Sequence, residues 1–312
     1  MGVASIALAL LLGAVPPTRA EVRFAVVGDT PSCNGKDDVQ LTELMRVLRE
    51  KQTPFLLHAG DLYPQPRWAE CSTMKGLCSE YRLKAIARLF ERSVPVIVTP
   101  GGAEYTECVD PAAAISMFRR YILPLRGGSQ FGRAMPGVPE NITWSLNGLH
   151  FISAAFPDAA KVFYRSGFEE KILQTSVVWI DEVEEEAAMA GAKGFVVLMH
   201  LEFSRNDPIL VNYQAVVKKI FRRHPEIPVL FIHGNTHQRK PVQRIEIGPH
   251  PDPSNAKCRL YEMSPGVQPE GGPGWVEVSF DGTEFEADIG GPDARSRERF
   301  GETRRSDQTP CH

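Results

Sequence analysis

Two runs of the chain share one pattern. VRFAVVGD (22–29) and PFLLHAGD (54–61) are short, apolar and rich in Val, Leu and Phe, and each closes on Gly-Asp. A short apolar run bounded by a turn signal reads as a buried strand, and glycine permits a sharp turn just after it. Each run is followed by a helical pattern. The first is DVQLTELMRVLRE, with Val39, Leu41, Leu44, Met45 and Leu48 near helical spacing; the second is YRLKAIARLFERS. Strand–helix alternation of this kind dictates parallel strands with helices on both faces.

The pattern continues. PVIVT (95–99) is a third strand and AAAISMFRRYI a helix, followed by a Gly- and Pro-rich link at 124–140. NITWSL and LHFISAAF form a hairpin around Asn147-Gly148, a favoured turn pair. QTSVVWIDEVEEEAAMA (174–190) is an acidic amphipathic helix, FVVLMH (195–200) a strand and YQAVVKKIFRRH a helix. PVLFIHGNTH (228–237) runs from a strand into a loop, and KCRLYEM and WVEVSF are closing strands. The hairpin strands point to a mixed or two-sheet core. From about Gly290 the chain turns polar and charged, which predicts a disordered tail over 290–312.

At the other end, the apolar run Val3–Val15 has 13 residues. A bilayer span needs about 20, whereas a signal-peptide core is shorter. Residues 1–20 are therefore read as an export signal cut before Glu21, leaving a 21–289 domain that is secreted or periplasmic. Six cysteines (Cys33, Cys71, Cys78, Cys108, Cys258 and Cys311) permit up to three disulfides, and no CxxC spacing suggests zinc. Sequence alone does not choose the pairs; Cys71 with Cys78 or Cys108 is the preferred bridge, because these cysteines follow neighbouring strands. A net charge of −3 gives no electrostatic argument for nucleic acid or an anionic membrane surface.

In α/β sheets ligands bind beyond the carboxyl ends of the strands, so the residues at those ends carry the functional reading. They are Asp29, Asp61, Gly102-Ala103, His200, and the group His233, Asn235 and His237. Carboxylates and imidazoles together suit Mn, Fe or Zn. Singly, each has a plainer explanation: Gly-Asp is an ordinary turn or cap, and His58, inside the second strand, is read as structural. Four such residues at four separate strand ends are hard to assign to chance.

That order resembles the calcineurin-like metallophosphoesterase superfamily, which includes purple acid phosphatases. The superfamily pattern runs Gly-Asp, Gly-Asp, Gly-Asn-His-Glu, a strand-end His, then Gly-His-x-His. It maps onto GDT (28–30), GDLY (60–63), GGAE (101–104), VVLMH (196–200) and GNTH (234–237). The resemblance spans roughly residues 22 to 245 and implies a four-layer α/β/β/α fold, a two-sheet sandwich flanked by helices. It implies one or two divalent or trivalent ions, with Asp61 bridging. Asp29 and His237 would hold the first ion, and His200 and Asn235 the second.

The third motif departs from the pattern. Where the superfamily places a metal ligand and a phosphate-contacting side chain, this chain has Gly102 and Ala103. Asn235 replaces the usual His or Asp, and an amide oxygen is an uncharged, weaker ligand. Two readings therefore stay open. One is a phosphoesterase that hydrolyses a small-molecule phosphate ester at a reduced metal site. The other is a catalytically inactive descendant that binds a ligand or partner. A further idea has Glu104, Glu107 or His233 rebuilding the site. Substrate and oligomeric state are not legible. Asn141-Ile142-Thr143 is a formal glycosylation sequon.

Overall fold

In the computed structural model, the described residues are 21–30, 36–62, 79–91, 94–105, 108, 110–128, 131–156, 168–202, 210–234, 240–244, 259–265, 275–290 and 297–300. The expected leader (1–20), Asn235, His237, Glu107 and every cysteine except Cys108 lie outside them.

Six strands form the first sheet, in the order β13-β12-β11-β1-β2-β3. β1 (Val22–Val27), β2 (Leu56–His58) and β3 (Val96–Val98) run parallel, and β11 (Trp275–Phe280) pairs antiparallel to β1. Seven strands form the second sheet, in the order β4-β5-β6-β7-β8-β10-β9, with β9 (Lys240–Arg244) at one edge. Its parallel centre is β6 (Leu149–Ser153), β7 (Gly194–Leu198), β8 (Val229–Ile232) and β10 (Leu260–Ser264). The hairpin between β5 (Val138–Leu146) and β6 turns at Asn147 (φ 50°) and Gly148 (φ 87°). Two positive φ values are what a tight hairpin turn needs.

The central strands are mostly apolar because both of their faces are covered. On β1, Phe24 and Val26 point into the apolar layer between the sheets, while Ala25 and Val27 meet the helices outside. α1 (Lys36–Glu50), α2 (Glu80–Phe90) and α4 (Pro111–Tyr121) cover the first sheet. α5 (Phe168–Met189) and α6 (Leu210–Phe221) cover the second. The layer order is α/β/β/α. No helix among the described residues is long and apolar enough to cross a membrane.

Two expectations need correction. The stretch from 290 onward is not wholly a tail: β12 (Phe285–Gly290) pairs with β13 (Arg297–Phe300), placing Phe300 opposite Phe285. A short edge strand tolerates alternating charge, so RERF reads as polar although it is paired. The 124–140 link likewise contains a strand, β4 (Arg133–Met135). The sequon is closed to modification. Asn141 is fully buried, donates from Nδ2 to Ser176 Oγ (3.0 Å) and accepts at Oδ1 from Ala155 N (2.7 Å).

Two histidines are held neutral. Burial pushes His58 and His150 from 6.5 down to about 4. Between those values an unfolded chain binds protons that the folded one refuses. Their contribution to stability is therefore complete above pH 6.5 and is lost as pH falls towards 4. In a histidine NMR titration the His58 and His150 ring signals are expected to stay unshifted from pH 7 to 5; a midpoint near 6.5 for either would contradict this packing.

Candidate metal centre

The carboxyl ends of β1, β2 and β3 face those of β7 and β8. The backbone pairing runs on past the strands: Asp29 N donates to Gly60 O (3.0 Å) and Gly234 N to His200 O (3.2 Å). Asp29 and Asp61 both sit in the left-handed region, at φ 53° and 57°. That region is uncommon for a residue with a side chain, and such outliers gather at functional sites.

Asp29, Asp61 and His200 come together there. Each offers one ligand atom, these atoms lie within 4.8 Å of one another, and all three residues are buried. Among the described residues no other group of this kind occurs. His200 lies between the carboxylates and the backbone. Its Nδ1 is 2.7 Å from Ala59 O and its Nε2 is 3.4 Å from Asp61 Oδ1. A carbonyl only accepts, so Nδ1 carries a proton and Nε2 is the nitrogen presented to the carboxylates. Burial pushes the imidazole down, but Asp61, and behind it Asp29, outweigh burial and lift it to about 10. In this arrangement a proton on Nε2 holds the place that a cation can take. The Nε2 atom is buried with the Asp61 carboxylate 3.4 Å away, and two carboxylates and an imidazole fit a first-row divalent ion.

Glycines make the room. A Cβ on Gly101 would collide with Asp61 Oδ1 and lie 2.8 Å from His200 Nδ1; one on Gly234 would lie 2.6 Å from Ala59 O and 2.7 Å from His200 Nδ1. The glycine before each aspartate serves the turn after its strand. Gly101 and Gly234 are there for space as well.

The third-motif loop forms a short helix, α3 (Gly102–Tyr105). Ala103 belongs to the apolar cluster beneath α1, α2 and α4, so its side chain serves the core. What the loop offers the site is backbone: Ala103 N donates to Asp61 Oδ1 at 2.9 Å. Glu104, raised as a substitute ligand, is spent on backbone donors. It accepts from Gly101 N (2.6 Å), Leu62 N (2.5 Å) and Asp61 N (3.2 Å). Burial, then the neighbouring Asp61 carboxylate, lift it to about 7, against those donors. His233 lies 4.0 Å from Glu262 and is outside the cluster. Cys108 is disulfide-bonded to a cysteine outside the described residues, and its Sγ lies 3.2 Å from Ala103 O.

Comparison with known proteins agrees with this geometry at the level of fold. No family model matches the chain, and no curated protein does. Among solved structures it is similar to a dimetal phosphatase from Danio rerio, at 13% identity and a TM-score of 0.62, over 90% of this chain and 99% of that one. It is also similar to GAP50, the anchor in the inner membrane complex of Plasmodium, at 12% identity and a TM-score of 0.51, over 92% and 90%. The chain has a metallo-dependent phosphatase-like fold.

Proposed function

We propose that the chain is a metal-dependent phosphoesterase with a reduced site, acting on a small-molecule phosphate ester. The observation that carries this reading is the buried Asp29–Asp61–His200 cluster at converging strand ends. These three would hold the ion, with His237 and the weaker Asn235 completing the set. When bound, such an ion activates water and neutralises phosphate charge. The chain's own part is orientation: Ala59 O fixes the His200 tautomer, and Ala103 N fixes Asp61 Oδ1. Gly102 and Ala103 supply no side chain to the phosphate, so turnover is expected to be slow. One absent donor lowers turnover by roughly a hundredfold or more.

The test is hydrolysis of p-nitrophenyl phosphate by protein loaded with Mn(II), Fe(III) or Zn(II), beside the Asp61→Asn variant. Slow turnover that needs metal and vanishes in the variant supports the reading. Metal uptake without turnover favours the second reading, a binding protein on the same scaffold. That reading draws on the Ala103 side chain lying in the core, and on likeness to a protein described as an anchor.

An exported, oxidising location fits the Cys108 disulfide. The mature chain is expected to begin near Glu21, and thiol titration of denatured, unreduced protein to find fewer than six free thiols. Six would contradict it.

A further inference from the structure

We propose that His58 and Glu104 are the positioning residues of this cation site, an inference that rests on the metal-binding reading above. Neither is among the ligand atoms. His58 lies inside β2, fully buried, with Phe90 edge-on at 6.0 Å. Its Nδ1 accepts from Gly60 N (3.1 Å), so its Nε2 donates to Thr30 O (2.7 Å). One ring thereby joins the residue after Asp29 to the residue before Asp61.

Glu104 does the same on the other side. Its two carboxylate oxygens take the amides of Asp61, Leu62 and Gly101, joining the turn after β2 to the loop after β3. The two side chains form a continuous belt from Thr30 through Gly60 and Asp61 to Gly101. Asp61 within that belt and Asp29 next to its Thr30 end are both left-handed, at φ 57° and 53°. A backbone in that region persists only where its surroundings over-determine it, and these buried hydrogen bonds do so. Such supporting partners commonly change metal affinity by 10- to 100-fold when removed.

The test uses Co(II), titrated into purified protein by calorimetry and followed by its visible spectrum, with melting temperature measured alongside. Glu104→Gln must turn an NH2 towards amide donors, because both carboxylate oxygens accept. His58→Gln breaks the two-ended link in a milder way. Ile180→Ala, on the face of α5 buried against the second sheet, is the control for destabilisation alone. Both site variants are expected to bind Co(II) about 10- to 100-fold more weakly and to shift its absorption bands. Ile180→Ala is expected to melt lower with affinity and spectrum unchanged. Folded variants that match the wild type in affinity and spectrum would overturn the positioning role alone. A folded wild type that takes up no Co(II) would overturn the metal-binding reading, and this inference with it.

Discussion

Gly101→Ala is expected to remove cation binding while the fold persists. The new Cβ would meet Asp61 Oδ1, lie 2.7 Å from Asp61 N and 2.8 Å from His200 Nδ1. None of these neighbours is the free end of a flexible chain. Asp61 N is backbone held by Glu104, Asp61 Oδ1 is held by Ala103 N, and His200 is tied to Ala59 O. Something must move, and each available movement separates the proposed ligand atoms. Affinity for a divalent ion is expected to fall on the order of a hundredfold or more, with about 1–3 kcal/mol of stability lost to overpacking. Calorimetric titration with Mn(II) and a melting curve check both. Affinity equal to the wild type would mean that the donors do not depend on this close approach.

The largest loss of stability is expected from Phe55→Ala. Phe55 stands between the sheets, stacked on Phe24 (5.7 Å) and edge-on to Phe131 (5.6 Å), Trp144 (5.9 Å) and Phe151 (5.3 Å). It is 1% exposed, so its removal leaves a cavity ringed by aromatic groups too stiff to collapse. Truncations of this kind cost about 3–5 kcal/mol. For a domain of this size that lowers the melting temperature by roughly 10 °C. Calorimetric melting of the variant checks it, and a fall of under about 2 °C would contradict the packing. The proposed site, at the strand ends, is expected to keep its metal affinity.

The two effects separate what was readable in the sequence from what was not. The strand ends were readable because a period change, from apolar run to Gly-Asp to helical spacing, marks the edge where α/β folds place their sites. Asp29, Asp61 and His200 stood at strand ends and matched the motifs of the resemblance, and the structure brings all three together. The Asn147-Gly148 turn was readable because so few residues take two positive φ values. His58 and Glu104 were not. A histidine inside an apolar strand and a glutamate in a loop carry no local pattern; their roles depend on Thr30, Gly60 and Gly101, which are brought in by other strands. Ala103 shows the same limit. Its alignment with a phosphate-contacting position says nothing of direction, and its side chain lies in the core. Substituting a longer polar residue there would bury that residue, so side chains meant to restore the third motif belong at Gly102. β13 was missed because its four residues, RERF, are three charges and one phenylalanine. Edge pairing through the backbone leaves little trace in side-chain pattern.

The central claim is that Asp29, Asp61 and His200 hold a metal ion. Metal analysis of purified protein, after dialysis against metal-free buffer and reloading with Mn(II) or Zn(II), tests it directly. At least one tightly held first-row ion per chain is expected in the wild type, and background metal in the folded Asp61→Asn and His200→Ala variants. Background metal in the folded wild type, or an unchanged content in both variants, would contradict the account.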